Sequence, residues 1–540
     1  MQEVEDLFYK KGFEIGTRKE LLDYVWFVQI GMQRGYSFSV LHSLGYSYIL
    51  LQQLNLVYHY NPIYWNTAFL LVESGSLEME QLQNNEDDDI EEDKKDKEKT
   101  TNYGTIAKAI GTLQNNNVKV ALPDINKAEL GFVPDVGNEQ IIFGLKGVMK
   151  INNETSKLIM SLRPFESFED VYNKMVLTKR EVTLKTGKKQ MKSLLSNTQM
   201  EMLIKGGAFD ELEKDITREE LLKKFLLMIN PPKKSITGKQ IEKVIQMGIV
   251  PSDYALMVRF YRYRNYIMSM DYLQDEQTKS IKWYLIYEDY AIDFFNEHFI
   301  NDLVENRDYK YNENGEGIFV ALGTKRKGSF EDIYTQKIAD LTKYLNSKAC
   351  LDLYNEIIFD EIKKEKMQGN ISTWEMEALN FYYHEHELSH LNKDKYNVSN
   401  FFELPEEPQI VGYTKYRDKQ YPKFNLTRIA GTVLDRDKNK HIVTLLTVDG
   451  VISVKFQQGQ FAFYDKTISI VDEDTGSKIT LENGWFSRGQ KLLITGFRRG
   501  DQFRPKRYKN SIYQHSVAKI VNIDENGNID LLSERANVGD

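Results

Sequence analysis

A charge-free stretch near the start of the chain gives the first structural expectation. Residues 35–62 read GYSFSVLHSLGYSYILLQQLNLVYHYNP and contain no Asp, Glu, Lys or Arg. From Tyr46 onward, apolar residues recur at intervals of three and four, which is the period of one helix face. The pattern predicts a helix that follows a turn at Gly35 and that needs burial. Polar residues and Pro62 interrupt the stretch, so we do not expect it to cross a membrane.

The pattern of apolar positions separates a helical part of the chain from a strand-rich part. Residues 1–34 and 215–375 carry mostly helical spacing, whereas β-branched runs separated by Asp, Asn and Gly turns begin near Gln409. The runs expected to form strands are 426–434, 441–448, 451–456, 490–497 and 516–521. Five strands with a Gly-Phe bend are typical of a small OB-type barrel.

Composition narrows the possible partners and the compartment. A length of 540 residues predicts several domains, and the net charge of −8 means that any nucleic-acid surface must be local. The lone Cys350 excludes a disulfide framework and a thiolate zinc site within this chain. The first 15 residues lack the pattern of a secretory signal, so we expect a cytoplasmic protein. The charge blocks of residues 86–99 predict a flexible surface insertion.

A short motif at residues 386–390 suggests metal-dependent catalysis. His386, Glu387 and His390 fit the H-E-x-x-H pattern of zinc metalloproteases, in which two histidines one helical turn apart bind zinc and the glutamate activates water. His384 adds a third imidazole. Taken alone, the motif keeps a zinc protease open as an alternative.

Several landmarks in fixed order resemble a known family. Gly35-Tyr36, Phe38, His42-Ser43 and a His59-Tyr60-x-Pro62 close resemble the end of the fingers domain in the alpha subunit of bacterial DNA polymerase III, a C-family polymerase. The later landmarks are 123–126 (PDIN), 131–132 (GF), 141–148 (IIFGLKGV), 203–210 (LIKGGAFD) and the OB-type strands. The OB position resembles the DnaE-type subclass. The same resemblance aligns His386 with an ordinary family histidine and Glu387 with a position where proline is usual.

The resemblance implies a fold class and a domain order. We expect a multidomain α+β chain, in which mostly helical fingers and a helix-hairpin-helix region precede a C-terminal OB-type β-barrel. The expected segments are the distal fingers (1–84), a charged flexible insertion (85–101), the helix-hairpin-helix DNA-binding region (102–212), a helical region of unclear role (213–405), the OB-type nucleic-acid-binding domain (406–525) and a tail (526–540).

Three groups of residues are candidates for DNA and nucleotide contacts. In the fingers, His42, Ser43 and Tyr46 would face the nucleotide; the family's basic residue is replaced by Val40. Duplex contacts are expected at the glycine-rich hairpin and at a later helix end, where backbone N–H groups can bind phosphates. The expected duplex-binding residues are Lys146, Gly147, Lys150, Gly206 and Gly207. The family's second hairpin glycine is absent here.

A basic and aromatic segment of the barrel predicts single-strand binding. Cations neutralise the phosphate backbone and rings stack on bases. The expected contacts are Arg498, Arg499, Phe503, Arg504, Lys506, Arg507 and Tyr508.

The resemblance also implies what the chain would need from partners. Nucleotidyl transfer requires carboxylates that hold two Mg²⁺ ions; the family carries them in a palm domain whose PD-x-D-x-DF motif does not occur in this sequence. We therefore expect a split bacterial or phage polymerase: a separate chain with PHP and palm domains would bind Mg²⁺, and this chain alone would be inactive. The expected ligands are primer-template DNA and dNTP. The family also implies the sliding clamp, for which we find no binding peptide in residues 215–375. A non-catalytic DNA-binding accessory protein is the alternative.

Overall fold

The computed structural model of the chain describes residues 2–31, 40–74, 103–183, 189–276, 279–312, 315–324, 326–416, 419–471, 477–509 and 512–536. The predicted charged insertion (85–101) and the Gly35-Tyr36-x-Phe38 landmark lie outside these residues. The chain forms two compact units. The first combines Met1–Asp215 with Ile371–Asp540, and the second is Ile216–Asn370.

Helices dominate the N-terminal part of the first unit. They are α1 (Gln2–Glu14), α2 (Lys19–Asp23), α3 (Val40–His59), α4 (Pro62–Glu73), α5 (Tyr103–Asn115), α6 (Asn153–Ser161), α7 (Phe168–Val171) and α8 (Asn197–Lys205). The helix predicted after Gly35 is present as α3. Asn61 begins α4 by accepting a hydrogen bond from the Ile63 N–H, with Pro62 in the first turn. Within the described ranges, no helix combines the length and apolar content that a bilayer crossing requires.

Short strands lie between these helices in the chain. They are β1 (Lys119–Ala121), β2 (Val133–Asp135), β3 (Gln140–Ile142), β4 (Lys179–Thr183) and β5 (Lys189–Ser193). β3 lies between β1, which is parallel to it, and β2, which is antiparallel. The PDIN landmark turns back from β1: Asp124 accepts hydrogen bonds from the N–H groups of Asn126 and Lys127.

The second unit has its own core around a sheet that the helical pattern did not predict. Its elements are α9 (Arg218–Ile229), α10 (Gly238–Gln246), α11 (Ala255–Ser269), β6 (Tyr272–Gln274), β7 (Lys282–Ile286), α12 (Asp289–His298), β8 (Tyr309–Tyr311), β9 (Ile318–Leu322), α13 (Phe330–Lys337), α14 (Ala339–Leu345) and α15 (Lys348–Lys366). The antiparallel sheet has the order β6-β7-β9-β8. Buried residues of β7, β8 and β9 pack against α11, α12 and α13.

The chain returns to the first unit with two short helices and a hairpin. These are α16 (Ile371–Leu379), α17 (Lys393–Tyr396), β10 (Ile410–Tyr416) and β11 (Lys419–Phe424). β10 and β11 pair antiparallel and form a two-stranded sheet of their own.

The remaining strands include those of the predicted barrel and a separate two-stranded sheet. They are β12 (Thr427–Asp437), β13 (Ile442–Thr447), β14 (Gly450–Lys455), β15 (Ile468–Val471), β16 (Lys478–Glu482), β17 (Lys491–Arg499), β18 (Gln502–Pro505), β19 (Val517–Ile523) and β20 (Ile529–Leu532), with α18 (Gln458–Asp465) after β14.

The barrel closes in the order β12-β13-β14-β18-β17, because β17 pairs back onto β12. β14 and β18 are parallel, and the other pairs are antiparallel. This closed sheet confirms the predicted OB-type barrel within a multidomain α+β chain, but its fifth strand is β18, whereas the predicted run 516–521 lies in β19, which pairs with β17 outside the ring. β20 pairs with β19 beyond residue 525, so the segment predicted as a tail from residue 526 begins with a strand.

Candidate nucleic-acid interface

The glycine-rich hairpin lies between β3 and α6. Gly147 faces the ring of Phe143, which would lie 2.5 Å from an added Cβ, so packing alone requires glycine at this position. Lys150 adopts the left-handed conformation, with φ of 68°, which side chains other than glycine adopt less readily. The hairpin therefore keeps its turn, and Lys150 both forms it and exposes its side chain beside the start of α6.

The N–H groups of this hairpin are partly used inside the protein. Gly147 donates to the Gly144 carbonyl over 3.0 Å, and Met149 donates to the Ala378 carbonyl over 2.8 Å. The side chain of Asn152 caps α6 by accepting from the Thr155 N–H. Lys146 is buried. Among the residues of this hairpin that were predicted to contact duplex DNA, Lys146 and Gly147 are buried and Lys150 has an exposed side chain.

The two other predicted duplex contacts lie at the C-terminal end of α8. Gly206 and Gly207 are buried, and Gly207 has a φ of 76°, the left-handed geometry of a glycine that ends a helix. An added Cβ on Gly206 would lie 3.1 Å from the Leu379 side chain. Both glycines thus have a structural role in closing α8, and a contact of either with DNA remains a prediction.

The predicted nucleotide-proximal residues lie in the first two turns of α3. His42, Ser43 and Tyr46 are exposed, and the rings of His42 and Tyr46 stack with centroids 6.5 Å apart. Exposure extends along the whole helix: Leu41, Leu51 and Leu54 are 80%, 61% and 56% exposed. A helix that is apolar on all sides is normally buried, so α3 presents an unusual apolar surface.

The basic segment predicted to bind single strands divides into two sets. Arg498 attaches the segment before the barrel to β17: its guanidinium donates to the carbonyls of Phe401 and Leu404 and pairs with Glu406. Phe503 is fully buried in the barrel core. The expectation that the Phe503 ring stacks on bases is therefore corrected, because a core ring has no face open to a base.

The remaining members of the segment lie nearer the surface. Arg504 is half-buried, and Arg507 is exposed and donates to the Gln514 carbonyl. Arg499, Lys506 and Tyr508 adjoin the base of the β10-β11 hairpin. The structure thus brings three of the seven predicted residues together at that hairpin.

Sequence reasoning did not single out the β10-β11 hairpin. The signal is present in residues 415–424, KYRDKQYPKF, where lysines alternate with aromatic residues as in the segment after Arg498. Tyr413 and Tyr421 are 61% and 50% exposed. A polar, aromatic hairpin that packs little of its own surface is typical of a binding element.

The H-E-x-x-H motif does not form a zinc site. Residues 387–390 form a turn rather than a helix. The Nδ1 atom of His386 accepts from the Leu388 N–H over 2.9 Å, so the protonated Nε2 donates to the Leu446 carbonyl over 3.1 Å. Burial lowers the pKa of His386 to about 4. Both imidazole nitrogens are thus occupied by backbone groups, and the zinc protease alternative is rejected on that geometry.

Glu387 has a structural role beside His386. It accepts hydrogen bonds from Thr373 and Tyr382, and Lys491 of β17 lies 2.7 Å from its carboxylate. Burial alone would raise the pKa of Glu387, but the charge of Lys491 and these hydrogen bonds lower it below its usual value. The pair ties the segment after α16 to the barrel.

Comparisons with known proteins agree with the polymerase resemblance. Residues 117–221 match the family model of a helix-hairpin-helix motif. The chain is 40% identical over 540 residues to the probable DNA polymerase YorL of Bacillus subtilis (strain 168) and to the DNA-directed DNA polymerase of Bacillus phage SPbeta. Each alignment covers 100% of this chain and 38% of the relative, so the chain spans well under half the length of these polymerases. The predicted resemblance is confirmed: the chain is related, along its whole length, to a segment of bacterial and phage DNA polymerases.

Proposed function

We propose that this chain is the DNA-binding part of a DnaE-type DNA polymerase. It supplies distal fingers, a duplex-binding hairpin and an OB-type barrel to a palm domain on another chain. The observation that carries the proposal is the 40% identity of the entire chain to two DNA polymerases. The helix-hairpin-helix match and the closed barrel agree with it.

The assignment of the metal site to a partner chain follows from the chemistry of nucleotidyl transfer. The reaction needs two metal ions held by carboxylates, which stabilise the attacking and leaving oxygens. Among the residues that the structure describes, His, Cys, Asp and Glu side chains do not gather in groups of three suited to a metal ion. We assign Mg²⁺ binding to the palm of the partner chain.

Helix α3 is the proposed docking surface for that partner. Exposed Leu50, Leu51 and Leu54 lie around the helix in its C-terminal half, with no charged residue in 35–62 to favour solvation. Burying such leucines stabilises an interface by roughly 1.5–3 kcal/mol per side chain. The aligned polymerases are much longer than this chain, and the palm-bearing part is the occupant that the proposal requires.

The test compares DNA synthesis by this chain, by a palm-bearing chain from the same source, and by the two mixed, on a primed template with Mg²⁺ and dNTPs. We expect synthesis only in the mixture. Synthesis by this chain alone would overturn the split arrangement. A mixture that binds primed DNA without extending it would favour a non-catalytic DNA-binding accessory protein instead.

A variant tests the docking surface. Leu50→Glu with Leu54→Glu places two charges on α3, and we expect at least a tenfold weaker complex with the palm-bearing chain at unchanged melting temperature. The matched control is Leu353→Glu on α15, since Leu353 is 43% exposed and lies in the second unit. Equal affinities for both variants would exclude α3 as the docking surface.

A further inference from the structure

The outer face of the first three barrel strands is covered by the chain itself. Leu434, Leu446 and Val451 pack there against Ala107 of α5 and against the α16 segment through Met376 and Tyr382. In an OB barrel, the face of the second and third strands and its adjoining loops ordinarily bind oligonucleotides. In this chain part of that face serves internal packing and is closed to a ligand.

The uncovered end of the same face is a cleft with acidic walls, which do not suit DNA. The cleft has a volume of about 610 Å³, and its walls include Glu73 of α4, Asp435 of β12 and Asp501 of the β17-β18 turn. Arg498 also lines it, but its guanidinium is committed to backbone carbonyls and Glu406. Three carboxylates repel a phosphate backbone, so the cleft disfavours a nucleic-acid strand.

The β10-β11 hairpin has the opposite character. Residues 410–424 contain three Lys, one Arg and one Asp, in a chain whose net charge is −8. The register pairs Thr414 with Tyr421 and Gly412 with Lys423, so Tyr421 and Lys423 lie on one face. Tyr413 and Lys415 lie on the other, and both are exposed. Each face of the hairpin therefore combines a lysine with an exposed ring.

The base of the hairpin continues into the basic segment of the barrel. The Phe424 ring packs 4.6 Å from the Phe497 ring, and the Phe424 N–H donates to the Tyr508 hydroxyl over 2.9 Å. The ammonium groups of Lys423 and Lys506 each lie 5.9 Å from the Tyr508 ring. Hairpin and barrel thus share one basic and aromatic area.

Arg499 extends the same area, because its guanidinium lies 5.3 Å from the Phe424 ring centroid. The basic hairpin surface, as we call it, comprises both faces of the hairpin and the barrel residues at its base, and it has six members. They are Tyr413, Lys415, Tyr421, Lys423, Arg499 and Lys506.

We propose that the basic hairpin surface binds single-stranded DNA, which runs along the hairpin instead of through the barrel face. The inference rests on the proposed polymerase function for the identity of the nucleic acid. The lysines neutralise phosphates, and the exposed tyrosines stack on bases, which only unpaired bases permit. Duplex DNA keeps its bases stacked and would leave both rings unused.

The experiment measures the affinity of the full chain for a fluorescent oligothymidylate by anisotropy over a series of salt concentrations. Tyr413→Ser with Tyr421→Ser should weaken binding roughly tenfold per ring at every salt concentration. Lys415→Gln with Lys423→Gln should also weaken binding and should reduce the slope of log affinity against log salt by about 1.4, from about 0.7 per phosphate contact.

The control removes two lysines from the β12-β13 loop, which borders the usual OB binding face. Lys438 and Lys440 are 66% and 74% exposed, so Lys438→Gln with Lys440→Gln matches the charge change. We expect the control to bind like the wild type. Loss of affinity in the control alone, or equal loss for a duplex oligonucleotide in the hairpin variants, would overturn the inference.

The inference and the proposed function fail in different assays. If hairpin variants bind oligothymidylate like the wild type while the mixed polymerase still synthesises DNA, the hairpin assignment is wrong and the function stands. If the variants lose binding but the mixture never synthesises DNA, the hairpin assignment stands and the polymerase role fails. Melting temperatures of all variants should stay close to that of the wild type, because the substituted side chains are exposed or, in the case of Lys423, half-buried.

Discussion

At the scale of single residues, His386 and Glu387 show why a motif match needs geometry. Both imidazole nitrogens of His386 are engaged by backbone groups, and both carboxylate oxygens of Glu387 accept hydrogen bonds or an ion pair. A buried polar group without a partner costs about 1–3 kcal/mol, so a chain that buries these side chains must satisfy them. Here Leu446 and Lys491 of the barrel meet that need together with neighbouring groups of α16 and of the segment after it.

The buried neutral His386 predicts a pH dependence of stability. Its pKa is about 4 in the folded chain and 6.5 in the reference state. As the pH falls below 6.5 the unfolded chain binds a proton that the folded chain does not, so the free energy of unfolding decreases, by about 3 kcal/mol in total near pH 4. Glu387, Lys491 and Asp449 face the same ring. Urea unfolding at pH 7 and pH 5 measures the effect.

Two variants isolate the contribution of His386. His386→Gln keeps a donor and an acceptor but does not titrate, so its stability should change less between pH 7 and pH 5. His390→Gln is the control, because the His390 side chain is 69% exposed and should leave the wild-type pH dependence intact. An unchanged pH dependence in His386→Gln would contradict the assignment.

At the scale of elements, the close pairing of β17 with β18 depends on a glycine. An added Cβ on Gly496 would lie 2.1 Å from the Arg504 carbonyl oxygen of the paired strand. Gly496→Ala must therefore push β17 and β18 apart, and we expect the free energy of unfolding to fall by roughly 1–3 kcal/mol. Urea titration followed by circular dichroism gives this value.

The control for Gly496 is a strand glycine with open space around it. Gly412 of β10 has no atom within 4 Å of an added Cβ, so Gly412→Ala should change stability by less than about 0.5 kcal/mol. Equal stability of the two alanine variants would show that the barrel relaxes around Gly496 at no measurable cost.

Four of the five barrel strands were predictable because each carries a run of β-branched residues with one buried face, whereas β18 contains none and was missed. The runs 441–448 and 490–497 correspond to β13 and β17 within two residues at each end. The three-residue strands β6 and β8 were missed, since such short segments show no clear period and their sheet forms only by tertiary pairing.

The binding surface was harder to predict than the strands. Composition identified the basic segment after Arg498, but alternation along β17 and β18 decides which side chains reach solvent. Phe503 points into the core, whereas Arg499 reaches the surface at the hairpin. Residue types alone do not show which face of a strand a side chain occupies. The contact between the barrel segment and the β10-β11 hairpin also joins residues about 80 positions apart in the chain, which a local pattern does not reveal.

At the scale of the whole molecule, the second compact unit is an insertion within the sequence of the first. Residues on both sides of the interruption share a core in the first unit: Lys205 of α8 pairs with Glu377 of α16 over 2.8 Å, and Gly206 packs beside Leu379. Two buried clusters of the second unit draw their members from residues 236–354. Each unit therefore has the interior that independent folding requires.

This separation of cores predicts that residues 216–370 fold when expressed alone. A domain of about 150 residues buries roughly 68–70% of the surface of its unfolded chain, enough for stability without a partner. We expect a cooperative thermal transition and a near-ultraviolet circular dichroism signal from its buried Tyr and Phe residues. Phe330→Ala, which removes a fully buried ring, should lower the stability of the isolated segment by about 3–5 kcal/mol, whereas exposed Tyr287→Ala should not. A gradual transition with no aromatic signal would show instead that the second unit depends on the rest of the chain.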